Sequence, residues 1–431
     1  VVGNALAPIV AAMKLPDLRR RIIFVFGMFA LYVVGLHIPV PNVDREQMAK
    51  LVEEGALFGL FDVFAGGAFR KFSILAMGIM PYINASIIFQ LLGIAIPRIA
   101  EVAKEGESGR KKISQWTRWL TIGLAIFQGS MTCSYLVSQG ILEVSGLGLI
   151  PIILTLTAGT CLLMWMGEQI TDKGIGNGVS LIIFAGIVAR MPIDVMQTYK
   201  LWQSQVLAWT NIFGLFIIWV ATIAGIIYIT KGERRISIQS AKRVVGTRVY
   251  SGGSSYLPIR VNTAGVIPII FAIAVVLLPA QIAQFGGQLS GTAGDLMRKA
   301  AEFFSPGQNW VASAIYFLTV IFFTYFYTAV TFNVADVADN LKKYGSFIPG
   351  IRPGRPTERH LDRVLSRITL AGALFLGIIA LLSYYVPTIT GVSSFTVVGG
   401  TSLLILVGVA LDTMQQIEGH LVMRQYEGFI K

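Results

Sequence analysis

The side chains best suited to catalysis or metal binding are sparse here and badly spaced for it. His37, His360 and His420 lie at a span end, in a loop and near the carboxyl end, too scattered for a metal set or a nucleophile–base pair. Cys133 and Cys161 both fall inside apolar runs without ligand spacing, and they read as buried thiols rather than a disulfide. The run Gly106-Glu107-Ser108-Gly109-Arg110-Lys111 resembles a phosphate loop but lacks its spacing and its terminal Ser or Thr. Ion-coupled transporters keep an Asp, Glu or His near mid-membrane, whereas Glu168 and Asp412 fall near the ends of their apolar runs. No carboxylate is expected centrally. The expectation is therefore no catalytic residue, no metal and no cofactor, and any energy must come from a partner.

Two other residue classes are patterned. Lys and Arg crowd into connections, while Gly and Pro interrupt apolar runs at repeating offsets. The chain is 54% hydrophobic and 13% charged over 431 residues, with mean hydropathy +0.68 and net charge +12. A soluble domain carries about 25% charged residues, so the composition belongs to a membrane protein.

Apolar stretches of about 20 residues are long enough to span. They place helices at Ile22–Pro39, Ser73–Ile96, Trp116–Ser138, Ile150–Ile170, Gly178–Met191, Asn211–Thr230, Ala264–Phe285, Trp310–Phe332, Ile368–Val386 and Gly399–Gln416. The fifth is short and should extend a turn or two past Met191. The first run follows Arg19-Arg20-Arg21 and reads as a retained span rather than a cleaved signal. The two ends and the connections on their side of the membrane hold 26 of the 35 Lys and Arg, against 8 on the opposite face. The positive-inside rule then puts both termini in the cytoplasm.

Two cytoplasmic loops are long, 231–262 and 333–367. Charge alone does not require such length. In the second, Gly350-Ile351-Arg352-Pro353-Gly354-Arg355-Pro356 predicts a stiff tip presenting a guanidinium.

The interruptions recur five helices apart. Gly78-Ile79-Met80-Pro81-Tyr82-Ile83 matches Gly265-Val266-Ile267-Pro268-Ile269-Ile270, and the run from Gly178 to Gly186 matches that from Gly400 to Gly408. Five is odd, so two halves of five helices have opposite topology, as in many transport proteins. Freed backbone groups at such breaks must meet neighbours or a water-filled cavity, which points to a pathway lined by these four helices.

Gly78-Ile79-Met80-Pro81-Tyr82-Ile83, Gly167-Glu168-Gln169-Ile170-Thr171, Gly174-Ile175-Gly176-Asn177-Gly178 and Gly350-Ile351-Arg352-Pro353-Gly354 together resemble the bacterial SecY family, from about Leu15 to Ile430. That family supplies the channel subunit of the Sec protein translocon. The resemblance implies an all-α membrane protein of ten transmembrane helices, built as two inverted five-helix halves around a central hourglass pore in the bacterial plasma membrane. The parts would be a cytoplasmic segment 1–21, a first half 22–209, a second half 210–416 and a cytoplasmic tail 417–431.

The resemblance also implies roles. A pore ring would consist of Ile79, Ile83, Val179, Ile183, Ile270 and Ile405. A plug at 57–69 would carry Phe58, Leu60, Phe61, Asp62, Val63 and Phe64, with Gly66 and Gly67 as its hinge. A lateral gate would include Asn84, Ile87, Gln90, Asn262 and Thr263, its amides expected to bond weakly across the seam. Lys242, Arg243, Arg248, Arg352 and Arg355 would dock the SecA ATPase or the ribosome through rRNA phosphates. SecE and SecG subunits, unfolded preproteins, signal sequences and anionic lipids complete the implied partners.

Overall fold

In the computed structural model the described residues are 12–430, apart from 55, 145, 241–242, 246–247, 251–252, 287–293, 296–298, 300–308 and 392–399. All ten expected spans are helices. The first half contains α1 (Pro16–His37), α2 (Arg45–Glu54), α3 (Ala56–Phe64), α4 (Met80–Ala95), α5 (Pro97–Lys104), α6 (Glu107–Ser138), α7 (Leu149–Lys173) and α8 (Gly178–Gln203). The second contains α9 (Trp209–Lys231), strands β1 (Glu233–Ser240), β2 (Arg243–Val245), β3 (Arg248–Tyr250) and β4 (Ser254–Arg260), then α10 (Ile267–Gly286), α11 (Trp310–Thr331), α12 (Val334–Lys343), β5 (Ser346–Phe347), α13 (Arg355–Thr390) and α14 (Gly400–Ile430). Among the described residues eight helices are long and apolar enough to cross a membrane, or nine if α4 and α5, bent by 102°, count as one broken span. The tenth, α10, has a shorter described apolar stretch, Ile267–Val276. The chain is a multi-pass membrane protein.

Several helices outrun their apolar cores. α13 starts at Arg355, deep in the second loop, because Pro356 in the first turn has a fixed φ suited to a helix start. α14 continues to Ile430, through the segment read as a tail. α8 runs three turns past Met191, with Pro192 inside it. Conversely, α4 begins at Met80 and not at Ser73. Gly78 has φ +59° and Pro81 lies in the first turn, so the chain enters the helix only there.

The sequence repeat is a structural repeat. α10 begins the same way as α4: Gly265 has φ +65° two residues before the start, and Pro268 is the second helical residue. The first hydrogen bonds match as well. The Ile79 carbonyl accepts from the amides of Tyr82 and Ile83, and the Val266 carbonyl accepts from Ile269 and Ile270. α8 and α14 each open on a glycine pressed against the preceding span: a Cβ on Gly178 would overlap the Gly167 carbonyl oxygen, and one on Gly400 the Ile379 carbonyl oxygen. Lipid gives no hydrophobic push between helices, so close backbone packing through small residues is what holds such pairs.

Packing repeats with the same period. In the first half α4 packs on α6, α6 on α7, α7 on α8, and α1 on both α7 and α8. In the second α10 packs on α11, α11 on α13, α13 on α14, and α9 on both α13 and α14. The halves meet chiefly through α4 against α10 and α8 against α14, the two matched pairs.

The long loops are not all-helical. β1 pairs antiparallel with β4, and β5 from the second loop joins the free edge of β1, giving the order β4-β1-β5. Beneath them Ile236, Ile259, Ile348, Leu361 and Leu365 form a separate buried cluster. The two loops are one folded unit, which alternation in β1 (Ile236 and Ile238 in, their neighbours out) produces.

Candidate functional site at the meeting of the two halves

The four repeated helices deliver their first turns to one place. Ile83 and Ile270 are each the fourth residue of their helices, and Ile183 and Ile405 each the sixth. With Ile79 they belong to a single buried cluster, 0–5% exposed. Val179 packs half-buried at its edge. None of the six faces outward, although the exterior carries many exposed apolar side chains such as Phe26, Phe213 and Leu318.

On the side of the basic loops a polar cavity of ≈ 370 Å³ opens between α8 and α14. Asn177, Ser180, Arg260, Asp412, Thr413 and Gln416 line it. Asn177 is held in place by capping α8, where its side chain accepts from the amides of Val179 and Ser180. The Gly176 amide donates to Gln416 Oε1 at 2.9 Å, joining the halves at this mouth. A polar cavity and a buried aliphatic cluster thus occur on the same pair of helices, α8 and α14.

The segment carrying α3 packs against α8 and α10, beside the same cluster. Phe58, Phe61, Val63 and Phe64 are buried, whereas the side chain of Leu60 lies outside the described residues. Phe58 stacks on Phe69 with ring centres 5.6 Å apart and tilts against Tyr135 at 5.3 Å. Gly66 and Gly67 take φ +68° and +82°. Only glycine suits the first, because a Cβ there would lie 2.6 Å from the Cα of Gly186 and also strike the Tyr32 hydroxyl. Tyr32 donates to the Ala65 carbonyl at 3.2 Å.

Asp62 brings a feature the sequence reading missed. Its side chain is 0% exposed, accepts from the Arg70 amide at 2.8 Å and pairs with Arg190 Nη1. Arg190 is also 3.4 Å from Asp194, whose side chain is 1% exposed. Asp194 is thus a buried carboxylate on the helix that carries the fifth span. Asp194 lies in the interior of α8, beyond the predicted end at Met191. The i and i+4 pair of Arg190 and Asp194 straddling Pro192 is the signal that could have revealed it, within the turn or two by which the helix was expected to pass Met191.

The gate residues lie near the seam of α4 and α10, but their polar groups bond locally. Gln90 donates to Ser86 one turn back at 3.3 Å, and Thr263 donates to the Arg260 carbonyl at 2.9 Å. Asn84 and Ile87 are buried, as is Asn262, whose Oδ1 has no partner among the described residues. Among the described residues no bond from Gln90 or Thr263 across the seam is seen. Apolar contact fills the neighbouring faces instead, with Phe271 of α10 edge-on to Phe323 and Tyr327 of α11.

Of the basic candidates, Arg352 and Arg355 are exposed on a tip braced by Gly350 and Gly354 at φ +81° and +100°. Thr357 donates to the Arg352 carbonyl at 2.9 Å, which holds the turn. Arg243 and Arg248 lie on the paired strands β2 and β3, and Lys242 lies outside the described residues. Arg235 is committed elsewhere, between Glu233 at 2.7 Å and the Tyr256 ring. Cys133 and Cys161 are free thiols.

Comparison with known proteins agrees with this architecture. A solved structure described as showing that the plug domain of the SecY protein stabilises the closed state of the translocation channel and maintains a membrane seal superposes with TM-score 0.64 at 18% identity, covering 95% of this chain and 96% of that one. Sec61 in a canine ribosome–channel complex superposes with TM-score 0.60 at 17% identity, over 95% and 96% of the two chains. The protein translocase subunit SecY of Mycobacterium tuberculosis is 43% identical over 445 residues, spanning 99% of this chain and 100% of the relative. Those two likenesses of shape carry the fold, and the near end-to-end identity, with the SecY family model matching residues 73–414, carries descent: the chain belongs to the SecY family.

Proposed function

We propose that the chain is a protein-conducting channel of a bacterial plasma membrane, passing unfolded secretory polypeptides across and releasing signal sequences and transmembrane segments sideways into lipid. The observation that supports this most is the convergence of isoleucines at equivalent places in the first two turns of matched helices, from both halves, into one buried cluster beside a polar cavity. Branched alkyl groups offer water no hydrogen bonds, so a narrow ring of them excludes water and ions when empty. They also yield to any side chain that pushes past, which suits a non-selective conduit.

In this reading Ile79, Ile83, Val179, Ile183, Ile270 and Ile405 form the ring, and residues 57–69 are the plug on its far side. The seam between α4 and α10 is the lateral gate. Its apolar character lets it part without stranding hydrogen bonds. A signal sequence gains about 0.3–0.6 kcal/mol per central Leu or Ile on entering lipid. The folded unit of the two long loops is the docking surface, with Lys242, Arg243, Arg248, Arg352 and Arg355 meeting SecA or ribosomal RNA phosphates. Both termini are cytoplasmic, the halves are 22–209 and 210–416, and SecE, SecG and anionic lipids are the membrane partners.

An arrested secretory chain carrying a photo-crosslinker tests the central point. It should label Ile83, Ile183, Ile270 and Ile405. Labelling confined to outward positions such as Ile217, 52% exposed, would overturn the reading.

A further inference from the structure

Four charged groups meet where the plug segment rests on α8. Asp62, Arg190 and Asp194 are nearly inaccessible, with side chains 0%, 12% and 1% exposed. Arg70, on the connection just past the plug, is a second cation that both carboxylates feel. The four sum to zero charge. Removing one partner from a buried ion pair is strongly destabilising, because it leaves an uncompensated charge. If Asp62 moved away with the plug, Arg190 would face that penalty unless another carboxylate stood ready.

One does. Asp194 lies one turn along the same helix, so it stays beside Arg190 whatever the plug does. In the structure it is under-used: Oδ1 is 3.4 Å from Arg190 Nε, and Oδ2 is buried with no hydrogen-bond partner among the described residues. A carboxylate takes a guanidinium best through two parallel bonds. Beside this pair the segment meets α8 in a glycine-to-glycine approach at Gly66 and Gly186, meets α1 through the Tyr32 to Ala65 bond, and otherwise packs through apolar side chains such as Phe61 and Phe64, none of which fixes a charge.

We propose that Asp194 is a waiting counter-ion, so that Asp62–Arg190 is an exchangeable latch: when the plug leaves, Arg190 closes onto Asp194. The cluster then separates into two neutral pairs, with Asp62 keeping Arg70 on the plug side and Arg190 keeping Asp194 on the channel side. Asp62 and Asp194 compete for one guanidinium and therefore act in opposite directions, Asp62 favouring the closed state and Asp194 the open one. Both are positioning residues, and the inference rests on the reading of residues 57–69 as a plug.

The test compares Asp62→Asn, Asp194→Asn, Arg190→Lys and a deletion of residues 57–69, in the full chain reconstituted with its membrane subunits. Resting ion conductance and signal-peptide-triggered opening are read in planar bilayers, and correct assembly is checked by protease resistance. Asp62→Asn should raise resting conductance several-fold. Asp194→Asn should leave resting conductance no higher and reduce triggered opening several-fold. Arg190→Lys, whose single ammonium cannot engage both carboxylates in the same way, should leak like Asp62→Asn, and it serves as the decisive variant if Asp194→Asn fails to assemble. Loss of a merely structural contact would shift Asp62→Asn and Asp194→Asn in the same direction, and that result, or a tight Arg190→Lys channel, would overturn the latch. An unchanged resting conductance in the deletion would instead overturn the plug reading itself.

Discussion

Isoleucines buried in a membrane protein usually just pack, and what distinguishes these is their helical position. Ile83, Ile183, Ile270 and Ile405 share places in the first two turns of matched helices and one buried cluster. Replacing all four with glycine removes the branched alkyl groups that keep water out. The expected outcome is a several-fold rise in ion conductance across planar bilayers; an unchanged conductance would remove the ring from the account. The glycines at the ends of α8 and α14 make a different prediction. A methyl group at Gly178 or Gly400 meets backbone, which cannot swing aside. Gly178→Ala and Gly400→Ala should each cost about 1–3 kcal/mol as overpacking, seen as a lower melting temperature in detergent.

Elements in this protein are placed by where the backbone is allowed to be helical. Pro81 and Pro268 delay α4 and α10, so that their opening turns lie in the shared buried cluster. The basic loops obey ordinary water-soluble rules, with an alternating strand, a small core and a tip braced by two glycines. Because that tip lies outside the core, Arg352→Glu should block export while leaving the protein folded and inserted. Pulse-chase export assays together with membrane fractionation check this, and normal export by the variant would take Arg352 out of the docking role.

For the molecule as a whole, the net charge of +12 resides largely in the connections and ends, which hold most of the Lys and Arg. Binding of a polyanionic partner there releases counterions, so affinity should fall about linearly with salt on logarithmic axes. Titrating ribosome binding from low to physiological salt measures the slope, and neutralising Arg352 and Arg355 together should flatten it. A slope unaffected by the double variant would locate the contact elsewhere.

The apolar runs, their order and the register of the two halves were legible in the linear sequence. Each depends on local quantities: the length of an apolar run, and Gly and Pro at fixed offsets. The waist isoleucines were legible for the same reason, once resemblance to a family pointed to them. Three features were not. The latch joins Asp62 to Arg190 across 128 residues, the mouth joins Gly176 to Gln416 across 240, and β5 joins β1 from a different loop. No local pattern specifies such partners, because ion pairs, single hydrogen bonds and sheet edges are chosen by which backbones the packing brings together. The seam shows the same limit in reverse: Gln90 and Thr263 were suited to bonding across helices, yet each found a nearer acceptor on its own chain segment.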